Sequence, residues 1–97
     1  MNTTTDSLII HDNPAQSRFE ALLNDQVLGY AEYHRTQHHI TFTHTIVLPA
    51  AQGKGIASRL IKTALDDARA AGLRVKPVCP FVVRYINEHP DYQDLVL

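Results

Sequence analysis

The sequence predicts an α/β domain, of the α+β kind with a mixed sheet, in which an antiparallel strand meander precedes a strand–helix–strand–helix unit. Apolar and polar residues alternate up to Val47 and then recur at helical spacing from Ile56, which is the main evidence for this order. A length of 97 residues, 44% of them hydrophobic and 20% charged, suffices for one core. We therefore expect a single domain over residues 1–97, with residues 1–15 as a loosely ordered N-terminal segment.

Four strands are predicted in the first half of the chain, at residues 7–11, 17–23, 27–35 and 40–47. The first is a weak edge segment that Asn13-Pro14 ends, and Asn24-Asp25 supplies a turn between the next two. Alternation in the fourth strand assigns one face to Ile40, Phe42, His44 and Ile46, and the other face to the residues between them. Because the connections are short, we expect neighbouring strands to pair antiparallel.

The second half of the chain predicts two helices around one strand. Apolar residues recur every three or four positions from Ile56 to Ala71, which indicates a helix with one apolar stripe facing a sheet. A short strand at residues 73–79 ends before Pro80, and a second helix follows at residues 81–88. The segment 40–79 is therefore a strand–helix–strand unit, which predicts a parallel crossover.

The charge pattern excludes some partners. Nine Lys and Arg against ten Asp and Glu give a net charge of −1, which disfavours nucleic-acid or membrane binding. Seven of the nine basic residues lie between positions 52 and 84, which suits a compact polyanion or, alternatively, a nucleic-acid or protein-interaction surface. Cys79 is the only cysteine, and no apolar run approaches the ~20 residues of a membrane span. We expect a cytoplasmic location.

The segment between the fourth strand and the first helix carries the clearest chemical pattern. Pro49 ends the strand, and Gly53 and Gly55 flank Lys54 directly before the helix. Two glycines permit a tight turn and leave space for a ligand beside the backbone. The N–H groups from Gly53 to Ser58 then include the unpaired donors of a helix start, which predicts a cradle for a phosphate or pyrophosphate.

The pattern Gln52-x-x-Gly55-x-Ala57, between a strand and an amphipathic helix, resembles the acyl-CoA pyrophosphate loop of the GNAT acetyltransferase superfamily. Four further motifs are similar to small stand-alone GNAT-like domains: His44-Thr45, Val78-Cys79-Pro80-Phe81, Tyr85-Ile86 and His89-Pro90-Asp91-Tyr92. The resemblance covers residues 16–95 and implies a minimal GNAT fold. That family usually has an acidic residue where this chain has Ile46.

The resemblance implies acetyl-CoA or another acyl-CoA as cofactor and acyl transfer to an amine as the reaction. The implied cofactor-binding residues are Ile46, Val47, Gln52, Gly53, Lys54, Gly55, Ile56, Ala57 and Ser58. The pyrophosphate is expected on the loop N–H groups, the pantetheine arm along the backbone of Ile46 and Val47, and the adenosine phosphates near Lys54 or Arg59.

Three residues are candidates for catalysis, and each has a structural alternative. Cys79 is expected near the acyl thioester, either as a nucleophile or as a small buried side chain. His44 is expected to approach Cys79 as a general base, or to be a hydrogen-bonded core residue. Tyr85 is expected to protonate the departing thiolate, or simply to pack against the sheet.

The remaining expectations concern partners. No carboxylate or cysteine completes a ligand set with His34, His38 and His39 in the predicted hairpin, so we expect a solvated turn there and no metal site. No helix fits between the second and third strands, where a longer GNAT domain builds its acceptor groove. The acceptor side is therefore open, supplied by a partner protein or a second copy, or absent. A CoA-binding module or sensor subunit without turnover is the alternative function.

Overall fold

The computed structural model describes residues 8–97, and these form five strands and two α-helices. The elements are β1 (Ile9–Asn13), β2 (Arg18–Leu23), β3 (Gln26–Arg35), β4 (His39–Val47), α1 (Ile56–Ala70), β5 (Arg74–Pro77) and α2 (Pro80–Glu88). Short 3-10 helices cover Pro14–Gln16, Pro49–Ala51 and Pro90–Leu95.

The strands form one sheet in the order β1-β2-β3-β4-β5. Strands β1 to β4 pair antiparallel, and β5 lies parallel to β4 after the crossover through α1. The predicted fold class, a meander followed by a strand–helix–strand–helix unit in a mixed sheet, is therefore confirmed.

Two predicted boundaries differ from the structure. Residues 1–7 of the expected N-terminal segment, with the start of its predicted strand, lie outside the described residues, whereas Ile9–Asn13 forms β1. Strand β5 ends at Pro77 instead of continuing to Cys79. The reason is that the N–H groups of Val78 and Cys79 both donate to the carbonyl of Phe42, at 3.1 and 2.9 Å, so the chain leaves the ladder there.

One core forms between the sheet and the helices. The buried stripe of α1 consists of Ile56, Leu60, Ile61, Ala64, Leu65 and Ala68, at the spacing that the sequence predicts. It packs against buried sheet residues such as Phe19, Ala31 and Phe42, and α2 adds Val82 and Ile86. This packing fixes the position of both helix N-termini relative to β4.

A polar network occupies β1 and β2. The side chain of Glu20 is buried, and its carboxylate accepts hydrogen bonds from Asn13 Nδ2 at 3.1 Å and Arg18 Nε at 2.8 Å. The other carboxylate oxygen of Glu20 lies 2.9 Å from His11 Nε2. Burial alone would raise the pKa of Glu20, but these partners outweigh it and lower the pKa. The Arg18 guanidinium also lies over the Tyr30 ring, 4.3 Å from its centroid.

The C-terminal residues connect α2 to α1. The His89 ring stacks on Tyr85 with centroids 3.9 Å apart, and the Tyr92 hydroxyl donates to Asp66 at 2.7 Å. Arg69 of α1 binds the Asp94 carboxylate at 2.8 Å. We call the contacts of Tyr92 with Asp66 and of Arg69 with Asp94 the C-terminal clasp. They give the His89-Pro90-Asp91-Tyr92 motif a structural role.

Candidate functional site

Strand β4 contains a bulge at Thr43. Tyr33 pairs with Phe42 and Glu32 pairs with His44, so Thr43 is the extra residue between them. Phe42 is buried, whereas His44 is exposed and Ile46 is 44% exposed. The predicted alternation is therefore wrong beyond Phe42: the bulge moves His44 and Ile46 to the opposite face from Ile40 and Phe42.

Strands β4 and β5 separate just beyond this point. The last pair between them is Phe42 with Pro77, and within the described residues the remainder of β4 pairs only with β3. A cleft of about 360 Å³ occupies the opening. Thr45 and Val47 line one wall, and Phe81 of α2 lines the opposite wall.

The floor of the cleft is the loop before α1 and the first turn of α1. It is lined by Ala51, Gln52, Gly53, Gly55, Ile56, Ala57 and Ser58. Gly53 and Gly55 have φ of 81° and 73°, and a Cβ at either would meet nothing within 4 Å. Glycine is required there for its left-handed backbone, and the space beside it is free for a ligand.

The N-terminus of α1 presents donors to this space. Gly55 caps the helix without a side-chain hydrogen bond, and the first helical bond runs from the Arg59 N–H to the Gly55 carbonyl at 3.1 Å. The N–H groups of Ile56, Ala57 and Ser58 therefore have no partner within the helix. Together with the positive end of the helix dipole they form a site suited to an anion.

Most of the residues that the resemblance implies for the cofactor line the cleft, and two do not. The Gln52 side chain donates to the Val47 carbonyl at 3.1 Å and so holds the loop against the end of β4. Ile46 directs its side chain to the other face of the sheet. Lys54 lines a second cavity of about 210 Å³, whose walls include Leu23, Leu28 and Leu48.

Cys79 lies beside the inner end of the cleft. Its side chain is 5% exposed, and its Sγ is 3.4 Å from Thr45 Oγ1. Thr45 lines the cleft, and Cys79 contacts the cleft through it. The expectation that the His44 ring approaches Cys79 is not met, because the bulge places the Thr45 side chain, instead of His44, beside Cys79.

Tyr85 faces away from the cleft. Its ring stacks on His89 and lies 6.1 Å from the Tyr92 ring, and burial raises its pKa. Phe81, one turn earlier on α2, lines the cleft instead. Thr45, Ala51 and Phe81 also line the cleft, and the sequence pattern does not predict them as lining residues. The spacing of Phe81 and Tyr85 does place both on one helix face, but it does not distinguish the end of that face nearer the cleft.

Two further properties bear on partners. Within residues 8–97, no three His, Cys, Asp or Glu side chains gather in a cluster able to hold a metal ion. No helix in the described part of the chain is long and apolar enough to cross a bilayer.

The sequence profile of the GCN5-related N-acetyl-transferase family matches residues 18–95. The chain belongs to this family. Among curated proteins, Protein NATD1 of Gallus gallus and of Mus musculus are each 35% identical to the chain over 51 residues, or 53% of its length. The match covers 46% of those relatives, so the chain spans about half the length of the NATD1 proteins.

Solved structures give the same fold. A GCN5-like protein from Staphylococcus aureus matches with a TM-score of 0.70 and 23% identity, over 94% of this chain and 89% of that one. A ribosomal-protein-alanine N-acetyltransferase from Brucella melitensis matches with a TM-score of 0.58 and 18% identity, over 82% and 62%. A GNAT family acetyltransferase from Streptococcus pneumoniae matches with a TM-score of 0.55 and 25% identity, over 78% and 58%. This chain is therefore shorter than the last two proteins.

Proposed function

We propose that this chain binds acyl-CoA, most simply acetyl-CoA, in the cleft between β4 and α2 and transfers the acyl group to an amine. One observation carries the proposal: the cleft joins the unpaired N–H groups at the start of α1 to the Thr45–Cys79 contact at its inner end. Membership of the GCN5-related N-acetyl-transferase family supports acyl-CoA as the donor.

The outer end of the cleft suits the pyrophosphate. The N–H groups of Ile56, Ala57 and Ser58 are unpaired within α1, and the helix dipole favours negative charge there. The left-handed backbone at Gly53 and Gly55 brings main chain, rather than side chains, to the ligand. These features fit a diphosphate better than a neutral ligand.

The middle of the cleft suits the pantetheine arm. From Thr43 to Val47 the strand β4 has only one neighbouring strand within the described residues, so its other edge has no strand partner, although the Val47 carbonyl accepts from Gln52 Nε2. An extended chain with two amide groups satisfies such an edge in the way that an added strand does. Phe81 offers an apolar surface on the opposite wall.

Acyl-CoA supplies the acyl group in activated form, as a thioester. We assign proton removal from the attacking amine to His44, whose exposed imidazole lies on the sheet face opposite to the core. We give Cys79 a structural role, because it is buried behind Thr45 and its thiol could reach the thioester only if Thr45 moved aside. Tyr85 keeps a packing role between His89 and Tyr92.

The amine acceptor has an open approach. Strands β2 and β3 are joined by Asn24 and Asp25 alone, both with positive φ, so no helix lies between these strands in the described part of the chain. An uncovered acceptor side is compatible with a small amine, and equally with an amine on a partner protein or on a second copy of the chain.

Calorimetric titration with acetyl-CoA and CoA tests the binding step. Gly55→Glu would strain the left-handed backbone, so Ser58→Glu is the sharper variant: glutamate in the first turn favours the helix but repels a phosphate. We expect wild type and Ser58→Gln to bind alike, and Ser58→Glu to bind at least roughly tenfold more weakly. Equal binding by all three proteins, or no binding by wild type, contradicts the proposal.

Turnover is tested separately, because a CoA-binding module without activity is the alternative function. One observation favours that alternative: Cys79, His44 and Tyr85 do not converge on one point. CoA release from acetyl-CoA with a lysine-containing peptide should fall roughly 10²-fold or more in His44→Ala, with CoA affinity unchanged. An acetyl adduct on Cys79, detected by intact mass and lost in Cys79→Ala, would instead make the thiol the nucleophile.

A further inference from the structure

The cleft needs a source of positive charge that its lining does not provide. The phosphates of CoA carry several negative charges, whereas none of the residues that line the cleft has a formal charge. Backbone N–H groups and the helix dipole supply only partial charges. If the proposed function is correct, a cation at the rim should complete the site.

Lys54, which lies between the two glycines of the cleft floor, does not itself line the cleft. The Lys54 side chain lines the second, largely apolar cavity, on the other side of Ala51 and Ile56, which both cavities share. Neither Lys54 nor Arg59 lines the cleft, so the expectation that one of them meets the adenosine phosphates stays a prediction.

The wall opposite β4 does present a cation. Arg84 follows Phe81 by three residues on α2, so the two side chains share one face of the helix. The guanidinium carbon of Arg84 lies 5.5 Å from the centroid of the Phe81 ring, and that ring lines the cleft. A guanidinium over an aromatic face is held there by the ring quadrupole while its edge remains available.

The donors of Arg84 are uncommitted. Its side chain is exposed, and within residues 8–97 it has no carboxylate or hydrogen-bond partner. By contrast, the guanidinium groups of Arg18 and Arg69 are bound to Glu20 and Asp94. Arginine recognises phosphate through two parallel N–H donors, which an unpaired guanidinium can offer.

We propose that Arg84, held over the Phe81 ring, is a residue that binds the phosphates at the nucleotide end of CoA from the α2 wall of the cleft, opposite β4. The inference rests on the proposed binding of CoA and adds a second contact to its phosphates. It also assigns Phe81 two tasks, as the apolar wall for the pantetheine arm and as the surface that holds Arg84.

Calorimetric titration of the folded chain with CoA and with dephospho-CoA tests the proposal. We expect Arg84→Ala to raise the Kd for CoA about tenfold, and Arg84→Lys to raise it by less, because lysine keeps the charge but not the paired donors. Arg35→Ala is the matched control. Arg35 is also an exposed arginine, but it pairs opposite Ile40 at the far end of β4, so the Kd should stay within twofold.

The two ligands identify the phosphate. A loss in Arg84→Ala for CoA but not for dephospho-CoA assigns Arg84 to the 3′-phosphate, and an equal loss for both assigns it to the pyrophosphate. Arg84→Ala binding CoA within twofold of wild type would overturn the inference and leave the proposed function standing. Failure of wild type to bind CoA would overturn both.

A double-mutant cycle tests the role of the ring. Phe81→Leu keeps an apolar wall but removes the aromatic face. If the ring positions Arg84, adding Arg84→Ala to Phe81→Leu should cost less than threefold in affinity, compared with about tenfold in the wild-type background. A full tenfold loss in both backgrounds would show that Arg84 acts without Phe81.

Discussion

The two halves of strand β4 differ in almost every property. Residues Ile40 to Phe42 pair with both β3 and β5, and Ile40 and Phe42 are buried. Residues His44 to Val47 pair only with β3 among the described residues, and their side chains are exposed or half-buried. The bulge at Thr43 is the boundary. One strand thus separates residues that stabilise the fold from residues that form the site, so stability and binding should respond to different substitutions.

The largest effect is expected in the paired half. Phe42→Ala removes a side chain that is 1% exposed and packs among the residues under α1, which should lower the free energy of unfolding by about 3–5 kcal/mol. Urea denaturation followed by circular dichroism measures this. Phe81→Ala, on the half-buried cleft wall, is the matched control and should cost clearly less. Equal losses would mean that the two regions are equally part of the core.

Gly29→Ala should affect both stability and the site. Gly29 pairs with Val47, and a Cβ at Gly29 would lie 2.8 Å from the Ile46 carbonyl oxygen and 3.3 Å from the Val47 Cα. Because backbone must shift to relieve this contact, we expect a loss of about 1–3 kcal/mol in stability. The shift moves a cleft wall, so CoA affinity should also fall. A destabilised variant with unchanged CoA affinity would show that the site tolerates movement of Val47.

The Glu20 network should respond to pH without involving the cleft. The pKa of Glu20 is lower in the folded chain than its unfolded value of 4.5. The stability that this carboxylate contributes is therefore complete above pH 4.5 and is lost as the pH falls through the folded pKa. Glu20→Gln should cost about 1–3 kcal/mol at pH 7 and flatten the decline of stability between about pH 5 and pH 3. Urea midpoints across this range test the expectation.

Glu32→Gln is the control for that experiment. Glu32 lies on the next strand opposite Arg18, and within the described residues its carboxylate makes no ion pair. The free energy of unfolding of the Glu32→Gln variant should stay within about 0.5 kcal/mol of the wild-type value. A flattened pH profile in Glu32→Gln as well would mean that the acid response is not specific to the Glu20 network. CoA affinity at pH 7 should be unchanged in both variants.

The smallest change in stability is expected at the inner end of the cleft. Thr45→Val removes the hydroxyl that lies 3.4 Å from Cys79 Sγ and keeps a similar shape, so it should cost only about 0.5 kcal/mol. Loss of this contact should change the reactivity of the thiol more than the fold. Labelling of Cys79 with a maleimide, at equal denaturant midpoints, measures this. An unchanged labelling rate would show that the hydroxyl does not control access to Cys79.

Much of the fold could be predicted from the sequence because its evidence is local. The change from period two to helical spacing marks the passage from β4 to α1, and each element found by pattern exists within a few residues of its predicted bounds. The loop before α1 could also be predicted from the sequence, because Gly53 and Gly55 directly before a helix indicate a left-handed turn in the backbone.

The inner end of the site could not be predicted because its geometry depends on pairing. An alternating sequence gives no sign that Thr43 is an extra residue, and that one residue exchanges the faces of His44 and Thr45. The sequence likewise could not show that Lys54 lines the second cavity instead of the cleft, because this depends on the path of the loop. Both differences concern where a side chain lies, rather than which element contains it.

The C-terminal clasp has a consequence for ligand affinity. Tyr92 contacts Asp66 of α1 and lies beside Tyr85 of α2, and these two helices also provide the floor and one wall of the cleft. A ligand that favours one spacing of the helices is therefore energetically coupled to the clasp. Thermodynamic linkage makes that coupling reciprocal: a change that loosens the clasp alters affinity by the same factor by which ligand alters the opening of the clasp. We therefore expect substitutions in the clasp to change ligand affinity at a site that the clasp residues do not line.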